Sequence, residues 1–161
     1  MNTREAMVYG LNFSGRFLAM MTADLTPEQL LHRPCEGANC AAWLLGHLID
    51  VDRRGYARLG FDAGDLPAVD EDFAKRFGRA DDAPKADEFG DVSKLAALFQ
   101  ETHAAFVAKV PELTDEQLAA PIENAPFTTV EEMLLFFPIH IASHAGQIST
   151  IRRSLGMPPV I

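Results

Sequence analysis

The chain has 161 residues, 48% of them hydrophobic and 23% charged, with a formal net charge of −9. That balance predicts one domain over residues 1–161 with a core of its own, and the acidity excludes a nucleic-acid backbone or an anionic membrane surface as a partner. No apolar run reaches membrane-spanning length, the first residues lack a secretory leader pattern, and Cys35 and Cys40 match neither a redox pair nor a zinc knuckle, so a cytoplasmic protein with reduced thiols is expected.

In chain order, apolar residues at helical spacing (Met7, Leu11, Leu18, Met21) predict a first helix over residues 2–22. Leu25-Thr-Pro-Glu-Gln-Leu30 then reads as a short turn of helix: Thr26 caps it, Pro27 takes the first position and Gln29 closes a capping box. Pro34 and Gly37 break the loop that follows, which carries His32 as an expected surface residue. A second helix is predicted over residues 39–59, its inward stripe running Leu44, His47, Leu48, Val51, Gly55. Trp43, Asp50 and Arg54 lie at the edge of that stripe.

Residues 60–90 are acidic and punctuated by glycine and proline, which predicts a long crossover connection with one short helix between Asp70 and Phe77, ended by Gly78. A third helix is predicted over residues 91–110, stopped by Pro111, with His103 at the flank of its stripe. Leu113-Thr-Asp-Glu-Gln-Leu118 repeats the earlier hexad with one substitution, again between a long helix and a histidine-bearing one, suggesting two similar halves. The fourth helix is predicted from Thr128, with Glu131 completing a capping box, to Gly156, with Pro138 kinking it just before His140. Four long amphipathic helices and no convincing strand give an all-α fold: a four-helix bundle with a long crossover between helices 2 and 3.

His140 and His144 continue the apolar line of the fourth helix (Met133, Phe137, Ile148, Ile151, Leu155). Four residues apart on a helix, they stand about 6 Å apart along the axis. Such a pair is either two hydrogen-bonded core histidines or half of a metal site, and a catalytic metal needs a third ligand and an open position.

The segments Trp43-Leu-Leu-Gly-His47-Leu and His140-x3-His144-x-Gly-Gln147-Ile, with the closing Arg152-Arg-Ser-Leu-Gly156, resemble the DinB/YfiT-like metalloenzyme superfamily. The likeness covers nearly the whole chain. It implies that His47, His140 and His144 ligate one divalent metal inside the bundle, zinc or nickel being the ions that best suit three imidazoles. Many relatives carry a large or basic residue after the second histidine of the pair; here it is Ala145. The resemblance also implies a homodimer.

Such a metal would turn a bound thiol into thiolate or a bound water into hydroxide. Ile141 follows His140, so the glutamate of a zincin motif is absent and no general base is evident. Asp50 is either a base or orienting group for a ligand imidazole or a charge paired with Arg54; Gln147 either hydrogen-bonds a ligand or packs between helices. The expected activity on a small-molecule substrate is, first, a thiol-dependent S-transferase in which a low-molecular-weight thiol attacks an electrophile, as the resemblance implies. The alternatives are a metal-dependent hydrolase and a non-catalytic metal or small-ligand binding protein.

Overall fold

The computed structural model describes residues 1–78 and 86–161; residues 79–85 of the expected crossover lie outside the described residues. Four long helices dominate: α1 (Thr3–Thr22), α3 (Ala41–Arg58), α5 (Leu95–Lys109) and α7 (Val130–Ser154). Three short ones punctuate them: α2 (Pro27–Leu30), α4 (Phe73–Phe77) and α6 (Asp115–Leu118). Among the described residues there is no strand, only an isolated bridge between Pro121 and Thr129. No described helix is long and apolar enough to cross a membrane.

The direction of each long helix follows from which half of it joins which core cluster. One cluster takes Leu18 and Met21 from the end of α1, Cys40 to Ile49 from the start of α3, Leu95 and Phe99 from the start of α5, and Ile141 to Ile151 from the far half of α7. The other takes Met7 and Leu11, Tyr56, Phe106 and Val107, and Val130 to Phe137. Thus α1 and α7 run one way, and α3 and α5 run the other. Because α3 and α5 are parallel neighbours, the chain between them must travel back along the bundle, and its described part passes from Leu59 and Leu66 in the second cluster to Phe73, Phe77 and Phe89 in the first. Around the bundle, α1 lies against α7 and α5, and α3 lies against α5 and α7. Each fully buried aliphatic or aromatic side chain in these clusters contributes roughly 1.5–3 kcal/mol relative to exposure.

Both repeated hexads form the expected structure. Thr26 accepts from Gln29 N and Thr114 from Gln117 N, and each glutamine side chain accepts from its threonine's backbone N–H, so α2 and α6 carry reciprocal caps. The cap of α7 differs from expectation by one residue. Thr129, not Thr128, is the N-cap and accepts from Glu132 N at 3.2 Å, while Glu132 accepts from Thr128 N at 2.6 Å. Thr-Thr-Val-Glu-Glu holds two such frames; in the one adopted, Val130 is buried beside Phe127 in the core. The α7 helix continues through Pro138, whose ring sits where a Cβ on Gly10 would come within 3.2 Å of its Cγ. Glycine at position 10 is what lets α1 and α7 close over the proline.

His103 is not at a flank. It is buried between α1, α3 and α5, its Nδ1 2.7 Å from Asp52 Oδ2 and its Nε2 2.9 Å from the Leu11 carbonyl. Carboxylate and carbonyl both accept, so both ring nitrogens donate and the ring is an imidazolium. Burial opposes that charge, but the Asp52 carboxylate and the two hydrogen bonds outweigh it and raise the pKa. Gly15 makes the space, since a Cβ there would lie 2.5 Å from the His103 ring.

Candidate metal centre

His47 projects from the middle of α3, and His140 and His144 from the middle of α7. Phe137 of α7 packs directly on α3 at Gly55, where a Cβ would lie 2.8 Å from its ring. The three histidines each offer one ring nitrogen, and these atoms all lie within 4.8 Å of one another. The ring centroids of His140 and His144 are 4.5 Å apart, and each is 5.3 Å from that of His47.

The surroundings decide which nitrogen of each ring is free. His47 Nδ1 lies 3.2 Å from the Phe77 carbonyl, which can only accept, so Nδ1 carries the proton and Nε2 keeps its lone pair. His144 Nδ1 donates in the same way to Gln147 Oε1 at 2.8 Å. His144 Nε2 then stands 2.9 Å from His140 Nε2. At that distance either a proton on His140 Nε2 is shared with His144 or a cation lies between the two nitrogens, and the same pair of atoms can therefore chelate an ion. Burial, chiefly, with the neighbouring His144 second, pushes His47 and His140 down to about 4. Burial also lowers His144, against the hydrogen bond it donates to Gln147. All three rings are therefore neutral at pH 7, the form that binds metal. Three neutral imidazoles, two of them with tautomers held by outer partners, and one side open, fit a divalent ion of the zinc or nickel kind.

Aromatic rings brace the ligands. Trp43 stacks on His47 with centroids 4.8 Å apart and planes 7° from parallel, and Phe136 stacks on His140 at 5.6 Å. Each aromatic precedes its histidine by four residues, so both stacks are one-turn neighbours on their own helix. That pattern is visible in the sequence and could have been used. The Phe77 carbonyl could not, because it arrives from the connection after α3.

The histidines open on a pocket of about 510 Å³ between α3, α7 and the loop before α7. Its described lining includes Arg54, Arg58, Phe127 and Phe136. Asp50 is not part of that lining. It is buried and its Oδ2 lies 2.9 Å from Arg54, and burial raises its pKa against the pull of that guanidinium. The orienting contact considered for Asp50 on His47 is made by Phe77, whereas Gln147 does reach His144. Ala145 is fully buried in the core and does not line the mouth. His32 is half-buried, 2.9 Å from the Ser154 hydroxyl, and is not one of the three clustered histidines.

An all-helical bundle with three inward histidines on two antiparallel helices defines a class of metal-site bundle proteins. The family model of the DinB superfamily matches residues 15–148, and the chain belongs to that superfamily. Among solved structures it is similar to YfiT from Bacillus subtilis, described as a probable metal-dependent hydrolase with an unusual four-helix bundle topology. That match has 19% identity and a TM-score of 0.68, covering 96% of this chain and 89% of that one. It is also similar to a conserved protein from Enterococcus faecalis, at 19% identity and a TM-score of 0.70, covering 97% of this chain and 99% of that one. At these identities the likeness shows the fold. No curated protein matches the chain.

Proposed function

We propose that this protein is a divalent-metal-dependent enzyme in which His47, His140 and His144 hold the ion and a low-molecular-weight thiol is activated for attack on a small electrophile. The observation that carries the metal reading is the convergence of three ring nitrogens within 4.8 Å of one another at the floor of an open pocket. When bound, the ion supplies a Lewis acid that lowers the pKa of a coordinated thiol or water into the neutral range. Phe77 and Gln147 hold the proton on Nδ1 of their histidines, so each ring presents Nε2. Trp43 and Phe136 keep two of the rings from turning, and the aromatic wall limits water at the site.

The thiol reading is favoured because no described lining residue is Asp or Glu. Nothing in the lining is placed to relay a proton from water, and a thiolate once formed needs no such relay. The second reading, a metal-dependent hydrolase, is favoured by the likeness in fold to YfiT, described as one.

Metal content separates these from a bundle without a metal. The untagged wild type should bind one divalent ion per chain, and His47→Ala, His140→Ala and His144→Ala should each lose it. Conjugation of a chloronitrobenzene that requires both metal and thiol supports the transferase, and ester hydrolysis without thiol supports the hydrolase. A gain in thermal stability with metal but no turnover of either probe would leave a binding protein.

A further inference from the structure

The wall of the pocket above the histidines is basic in a chain whose net charge is −9. His47, Val51, Arg54 and Arg58 all line it, at the spacing of a single helix face. Arg54 is part-neutralised, its guanidinium 2.9 Å from the buried Asp50 carboxylate. Arg58 is different. Among the described residues it has no carboxylate partner, and its guanidinium lies 5.9 Å from the centre of the Phe127 ring. From there, ring steps of 5.8 Å to Phe136 and 5.6 Å to His140 lead down the wall to the histidines. A guanidinium drawn toward an aromatic face by a cation–π contact, with no carboxylate partner, keeps its N–H groups free for a carboxylate or phosphate.

We propose that the molecule reacting at the three histidines carries an anionic group at its far end, a carboxylate or phosphate, and that Arg58 is the residue that selects for it. The inference rests on the metal-site reading above and adds the class of molecule the site takes. Arg58 begins 11 residues beyond His47 on α3, about 16 Å along the axis at 1.5 Å per residue. The side chain can lean back toward the histidines by several ångströms, so the anion belongs to an extended molecule, with a spacer of several bonds between it and the reacting group. The spacer crosses the Phe136 and Phe127 faces, which suits an apolar or flat segment. Arg54, behind its own carboxylate partner, adds to the attractive field without being the anchor.

The test uses protein loaded with cobalt(II) and pairs of ω-mercaptocarboxylates and ω-mercaptoalcohols of equal length, from two to eight methylenes. Binding is read from the thiolate-to-cobalt absorption and, independently, by calorimetry. Wild-type protein should bind the longer acids about tenfold more tightly than the matching alcohols, with the preference shrinking as salt is raised. Arg58→Gln should abolish that preference while leaving alcohol binding and the melting temperature unchanged, and Arg58→Lys should keep part of it. Equal binding of acid and alcohol by the wild type overturns the proposal, as does a preference that Arg58→Gln retains. Failure of cobalt to bind overturns the metal reading instead, and calorimetry still compares acid with alcohol on the same protein.

Discussion

Gly46 links the packing of the bundle to the histidine site, and Gly46→Ala tests that link by its sign. A Cβ at position 46 would lie 2.1 Å from Phe77 Cδ1 and 2.3 Å from its Cγ. The Phe77 ring has no room to retreat: it is fully buried, with Phe73 at 4.7 Å and Phe89 at 5.6 Å between centroids. In a helix interior the extra methyl by itself stabilises by about 1 kcal/mol. Overpacking at so short a distance costs about 3 kcal/mol, leaving a net loss of about 2 kcal/mol. For a chain of this size that lowers the melting temperature by about 4–8 °C. Moving Phe77 also moves the carbonyl that fixes His47, so zinc affinity should fall at least about tenfold. Differential scanning calorimetry of metal-free protein and a chelator competition read the two effects. Gly146→Ala is the internal control: nothing lies within 4 Å of its Cβ, so it should raise the melting temperature by about 2 °C. If Gly46→Ala stabilises the protein as Gly146→Ala does, Phe77 is not wedged against α3 and packing there is not coupled to His47.

Asp52→Asn should destabilise the protein by about 3–5 kcal/mol near pH 6, because it leaves the buried His103 imidazolium without its counter-charge. The pair should also impose a pH slope. The folded pKa of His103 is raised, so its contribution is full below about 6.5, the unfolded value, and is lost as pH rises through the folded value. Urea melts from pH 6 to 9 should show that decline in the wild type and lose it in Asp52→Asn; identical slopes would mean the ring is not charged. Gln147→Met, at an exposed position, should weaken zinc binding about tenfold with little change in stability, and unaltered affinity would remove Gln147 from the site. The exposed Tyr9, Phe13 and Met20 of α1 and Leu135 and Ile139 of α7 lie on neighbouring helices that approach each other at Gly10 and Pro138. If this face joins two copies, the wild type sediments as a dimer and Phe13→Glu with Ile139→Glu as a monomer; a wild type that sediments as a monomer refutes it.

Much of this molecule follows from local rules, and those parts were readable from the chain alone. The four long helices, the two capped hexads and the terminal glycine of α7 depend on periodicity, capping and breakers, which act within a few residues. The pairing of His140 with His144, and the hydrogen bond from His144 to Gln147, also join one-turn neighbours on a single helix. What the tertiary structure decided are contacts between elements distant in sequence. The acidic crossover made the parallel run of α3 and α5 legible, but only the folded chain shows that the connection brings the Phe77 carbonyl back to His47 across 30 residues. Only packing shows that His103 is an imidazolium clamped by Asp52 rather than a residue at the flank of its stripe, because its two acceptors come from α1 and α3. His47 and the α7 pair lie far apart in the chain; what joins them is the packing of α7 on α3, with Phe137 against Gly55, and spacing within one helix cannot encode it.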